Sequence, residues 1–120
     1  MNYITGIHAL NLPCSLETTG DWHTSALKWD DMIIKDSEKS IFKDYGIEIK
    51  KNIPEHNGFY NVANHIRAIL DLLELEKFDY ISNFKEDYIC NDNYTEEIFK
   101  QVLKLLPNNN IYDFMHKTYF

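Results

Sequence analysis

Arginine is nearly missing from this chain. Arg67 is the only one among 120 residues, and nineteen acids against twelve bases leave a formal net charge of −7. Proteins that bind nucleic acid neutralise phosphates with clustered Lys and Arg and read guanine with Arg forks. The sequence has neither, and the deficit is even: residues 1–60 hold nine acids and six bases, residues 61–120 ten and six. Direct nucleic-acid binding is therefore not expected, nor is a DNA-reading helix visible. A basic protein partner suits the charge better, and the plainer reading is that −7 serves solubility.

Cysteine is equally sparse. Cys14 and Cys90 form no CxxC and no disulfide framework, so both read as reduced thiols of a cytoplasmic protein. Three prolines and four glycines leave no linker, and no repeat is visible, which predicts a single domain over residues 1–120. No run approaches the ~20 apolar residues of a membrane span, and the first residues carry no positive leader segment. Catalytic signatures are missing too: no CxxxxxR loop, no Gly-rich phosphate cradle, no GxSxG and no HExxH.

What is present is a globular balance of 44% hydrophobic, 14% aromatic and 26% charged residues. Heavy use of Asn, Lys, Ile and Tyr suits an AT-rich bacterial or phage genome. A domain of this size buries roughly two-thirds of its unfolded surface and needs no metal or disulfide to fold.

The first dozen residues alternate as a central strand, with Ile4, Gly6, His8, Leu10 and Leu12 on one side, and Pro13 ends it. Residues 14–20 read as a loop. Asp21 is placed to cap a helix carrying Trp22, Ala26, Trp29 and Ile33 on one face. Residues 35–40 are turn-like, and Ile47, Ile49 and Ile53 share a face of a half-buried strand closed by Pro54. Val62, Ile66, Ile69, Leu70 and Leu73 form the clearest helical stripe, with Asn64, Arg67, Asp71 and Glu74 on other faces. A short helix follows with Phe78, Ile81 and Phe84. Asn93 and Glu96 resemble a capping box ahead of Ile98, Val102 and Leu105, and Pro107 ends that helix. A last short helix carries Ile111, Phe114 and Met115. The expected fold is α+β, with two or three strands in the N-terminal half packed against a mainly helical C-terminal half.

His8, Cys14, Asp21 and His23 crowd into sixteen positions, and three readings compete for them. They supply a suitable ligand set for one zinc-like ion, though without any usual spacing. Alternatively Cys14 is a nucleophile with His23 as base and Asp21 orienting it, helped by a helix N-terminus. The favoured reading is structural: His8 buried and neutral, Asp21 a cap, Cys14 a small hydrophobe. No catalytic residue and no cofactor is assigned on this reading.

A second polar concentration is Asn61, Asn64, His65 and Ala68, adjacent on one helix face. It marks either a ligand-binding ridge or an ordinary helix start, in which Asn61 caps, Arg67 pairs with Asp71 at i+4 and His65 sits at the core margin. His65 and Arg67 thereby join the candidates. The aromatics toward the C-terminus, Tyr112, Phe114, Tyr119 and Phe120, either dock on the domain or form a partner or homodimer patch.

Ile4-Thr5-Gly6-Ile7-His8-Ala9-Leu10-Asn11, Gly20-Asp21-Trp22-His23, Asp44-Tyr45-Gly46-Ile47 and Asn61-Val62-Ala63-Asn64-His65-Ile66-Arg67 together resemble a group of small uncharacterised bacterial proteins of accessory or mobile-element loci, of the toxin–antitoxin or phage-defence kind. The resemblance spans most of the chain. It implies a role in bacterial antagonism, as neutralising partner or as effector, and it brings no site map.

The leading expectation is a small acidic cytoplasmic protein that acts by binding another protein, antitoxin- or inhibitor-like. The alternative is a metal-binding or Cys/His-based enzyme of hydrolase or transferase type, with its site around His8, Cys14, Asp21 and His23.

Overall fold

A computed structural model describes residues 1–20, 28–106 and 108–119, without the side chains of 118 and 119. It has an α+β fold. Four strands, β1 (Asn2–Thr5), β2 (Ile33–Asp36), β3 (Ile47–Lys51) and β4 (Tyr60–Ala63), make one mixed sheet in the order β2-β1-β4-β3. β1 is antiparallel to β2 and parallel to β4, and β3 is antiparallel to β4. The inner place of β1 agrees with its two apolar sides: Tyr3, Ile4 and Thr5 are all buried.

That first strand is shorter than its alternation suggests. Gly6 turns the chain at φ 77°, and a β-carbon there would come within 2.9 Å of Ile33 Cδ1. Ile7–Leu10 then form a short buried helix, α1, so His8 leaves the strand face expected for it. Residues 28–31 are turn and bend, and Ile33 opens β2. Trp29 and Ile33 therefore lie on no common helix, while the expected cap Asp21 and helix start Trp22 lie outside the described residues.

The centre of the molecule is α2 (His65–Glu74). Asn64, and not Asn61, caps it, its side chain accepting from the Arg67 N–H at 2.8 Å. Asn61 and Val62 belong instead to β4. β1 and β4 press on one side of α2, while α1, α3 and a 3-10 turn (Phe78–Ile81) close on others. Every residue from His65 to Leu73 is buried. The apolar stripe holds from Ile66 to Leu73, while Val62, expected on it, lies in the strand before, and Arg67 and Asp71, expected on other faces, are enclosed as well. A helix buried all round must satisfy its polar side chains from within the protein.

A π-helical turn (Lys85–Ile89) leads to α3 (Asp92–Leu105), whose cap is Asn91, two residues before the expected start. Thr95, Ile98 and Val102 face the core, and Leu103 is 68% exposed. α4 (Asn109–Tyr119) buries Ile111 and Met115. No helix among the described residues is long and apolar enough to cross a membrane.

Candidate functional site

The loop after α1 passes beneath the first turn of α2, and there Cys14 meets His65. Thr18 Oγ1 touches both, 3.5 Å from Cys14 Sγ and hydrogen-bonded to His65 Nδ1. The other ring nitrogen, Nε2, lies 2.6 Å from the Leu12 carbonyl. A carbonyl only accepts, so Nε2 carries the proton and Nδ1 faces the hydroxyl. His65 and Thr18 are buried, whereas Cys14 is half-buried.

This arrangement satisfies two protonation states. In the neutral state the Cys14 S–H donates to Thr18, whose O–H donates to Nδ1. In the ionised state Nδ1–H donates to Thr18, whose O–H donates to the thiolate. Burial pushes the Cys14 thiol up, but hydrogen bonds from His65 and Thr18, with the imidazolium charge, outweigh it and bring the thiol to about 7. Among those donors is the His65 backbone N–H at the positive end of α2. Burial likewise lowers His65, and its bonding and charge coupling to Cys14, the Leu12 carbonyl and the Glu48 charge together raise it. A thiol and an imidazole joined this way have the proton path that a nucleophile and its base require.

The loop is tied down on its far side. The Ser15 backbone N–H and Oγ donate to Glu48 Oε2 at 2.8 and 2.6 Å. Burial raises the Glu48 carboxyl, but these bonds and the Lys51 ammonium outweigh it and hold it below its usual range. Ser15 and Glu48 carry no local sequence signal, being thirty-three positions apart.

Of the other candidates, Arg67 is a structural lock. Its Nε donates to Asp71 Oδ1 at 3.1 Å, one amino group to the Lys43 and Tyr45 carbonyls, and the other to Tyr3 Oη and Ser40 Oγ. All five N–H groups are thus matched. The second oxygen of Asp71 accepts from Tyr3 Oη and Thr5 Oγ1, each at 2.7 Å. The i,i+4 pairing expected of Arg67 is present, inside the core and not on its surface.

His8 is buried against Trp29, ring centroids 5.1 Å apart, and its Nε2–H donates to the Lys28 carbonyl at 2.7 Å. Its Nδ1 has no hydrogen-bond partner among the described residues. Asp21 and His23 lie outside the described residues, so the His23 base and the four-residue metal set are not described. Among the described residues no group of three His, Cys, Asp or Glu side chains is placed to hold a metal ion. Among the described residues, the imidazole that Thr18 links to Cys14 is that of His65.

Toward the C-terminus, Phe114 stacks on Phe78 at 4.7 Å and serves packing, while Tyr112 is half-buried. The Tyr119 side chain and Phe120 lie outside the description. Cys90 is exposed, its thiol donating to the Glu86 carbonyl at 2.8 Å.

The chain matches no model of a known protein family, no curated protein and no solved structure.

Proposed function

We propose that the protein is a cysteine-dependent enzyme of transferase or hydrolase type, with Cys14 as nucleophile, Thr18 as hydroxyl relay and His65 as base. One observation carries this reading: a single hydroxyl, Thr18 Oγ1, is shared between the Cys14 sulfur and the Nδ1 of a buried imidazole whose other nitrogen is pinned by Leu12. In the reaction the thiol proton passes to His65 as the sulfur bonds to an electrophilic carbon or sulfur. The imidazolium then returns that proton to the leaving group, which departs with the electron pair of the broken bond.

The test is the pH dependence of alkylation by iodoacetamide in a Cys90→Ser background. The reading expects a rate that rises through pH ~7 and levels off, with His65→Gln moving the midpoint toward the ordinary thiol value of about 9. Thr18→Val moves it the same way and by less. A rate still climbing at pH ~9 in the otherwise unsubstituted protein overturns the proposal.

A second reading is protein binding of inhibitor or antitoxin kind, in keeping with the net charge of −7. It is supported by a groove of about 310 Å³ between α3 and α4, lined by Phe99, Val102, Leu103, Tyr112, Met115 and His116. Native mass spectrometry of the untagged chain tests it. A complex with a second copy or another protein, lost in Leu103→Glu, supports the reading; no complex, or one indifferent to Leu103→Glu, sinks it.

A further inference from the structure

The strand beside the Cys14 loop is irregular at one place. Glu48 on β3 faces Val62 and Lys51 faces Tyr60, so three steps along β3 answer two along β4. The extra residue is a bulge, and within it Lys50 adopts φ 58°. That left-handed conformation is costly for a residue with a β-carbon, and such strain persists only where the surroundings hold it. Regular pleating sends neighbouring side chains to opposite faces. Here Lys50 and Lys51 instead line one cleft, together with Leu12, Pro13 and Asn52. Bulges re-aim side chains in this way.

The cleft has a volume of about 310 Å³, and its opposite wall is the chain just before Cys14. Leu12 in that wall is also the residue whose carbonyl holds His65 Nε2. Past the cysteine, Ser15 is fastened to Glu48, whose other oxygen lies 3.1 Å from Lys51 Nζ. Glu48 therefore spans from the nucleophile loop to one of the two lysines. Lys50 is exposed and has no ion-pair partner among the described residues. The cleft thus carries a net positive charge in a chain whose total is −7.

We propose that this cleft is the anchoring subsite of the Cys14 centre, and that the substrate is a small electrophile bearing an anionic group, a carboxylate or a phosphate, held between Lys50 and Lys51. The inference rests on the thiol reading above and adds the substrate's charge. Lys50 acts on binding and on the encounter, and Glu48 is a positioning residue through Ser15. The net charge of the whole chain repels anions, so a preference for one has to come from local cations.

Two disulfide probes separate the questions. Dithiobis(nitrobenzoate) is a dianion and dithiodipyridine is neutral. With either, the Cys14 thiolate bonds to one probe sulfur, the probe's S–S bond breaks, and its other half leaves as an aryl thiolate. Rates are measured near pH ~7 in the Cys90→Ser background and divided by those of a small neutral thiol. The expected result is a normalised preference for the dianion of about threefold to tenfold. Lys50→Asn, which keeps a residue tolerant of the left-handed backbone, and Lys51→Gln each remove most of that preference, and added salt lowers it.

Equal normalised rates, or a preference indifferent to both substitutions, overturn the anion subsite while fast reaction with the neutral probe still supports an activated thiol. If the neutral probe reacts no faster with Cys14 than with the reference thiol, the nucleophile reading fails, and the subsite fails with it.

Discussion

Gly20 lies close against the imidazole of His65: a β-carbon at Gly20 would stand 2.8 Å from His65 Cε1 and 2.3 Å from the Leu10 carbonyl oxygen. The loop carrying Cys14 comes close enough to the ring only because this position has no side chain. Its φ of 71° is a second reason for glycine.

Gly20→Ala therefore strikes the fold and the site together. The left-handed backbone alone costs about 1–2 kcal/mol, and the clash adds to it. Urea unfolding should show at least that loss, and the alkylation midpoint of Cys14 should rise as the ring is pushed from the loop. An unfolding midpoint equal to that of the unsubstituted protein contradicts the close approach.

The charge coupling of Cys14 and His65 has a sign that can be read by NMR. His65 is raised above its ordinary 6.5 by a thiolate neighbour, so its ring should titrate above that value. Cys14→Ser removes the negative partner, and the His65 midpoint should fall. Since the same ring lowers Cys14, the thiol ionises progressively as pH rises through about 7 and stays ionised above it. A His65 titration unmoved by Cys14→Ser refutes the coupling.

Arg67→Met should be among the most damaging single changes. It leaves Asp71, fully buried, without its hydrogen-bonded cation and with the Lys35 ammonium at 3.9 Å as its remaining charge partner among the described residues, a loss of about 3–5 kcal/mol. Arg67→Lys rescues little, because an ammonium offers three donors where five acceptors wait. Chemical unfolding of both variants decides this; a loss below about 1 kcal/mol for Arg67→Met means that the lock is not needed.

His8→Ala separates the residues that the sequence grouped with Cys14. Losing its bond to Lys28 and its contact with Trp29 should cost about 1–3 kcal/mol in unfolding measurements. The alkylation midpoint of Cys14 should not move, since His8 bonds to neither Cys14 nor Thr18. A shift of that midpoint would place His8 in the thiol centre after all.

The helices of the second half were legible because their signals are local. The stripe of Ile66, Ile69, Leu70 and Leu73 repeats within three turns, and α3 and α4 stop and start around Pro107. β2 and β4 were not legible. Each has four residues, and Val62 of β4 falls in phase with the helix that follows. Ile33 of β2 falls in phase with Trp29, and Ile34 beside it is 54% exposed, so no alternation marks that strand. The bulge at Lys50 hid in the same way, because a two-residue period predicts Ile49 inward, whereas it is 59% exposed.

The sequence by itself determined the acidity, the lone Arg67, the separated thiols and the faces of the long helices, all of which need only composition or near neighbours. The tertiary structure decided what those residues do. Enclosing α2 on every side removed water from His65, Arg67 and Asp71 at once. Buried polar groups must then take whatever partners the fold brings: a carboxylate, carbonyls and hydroxyls for Arg67, and Thr18 and Leu12, on the Cys14 loop, for His65. Those partners are forty-seven and fifty-three positions from His65, a distance no local pattern records.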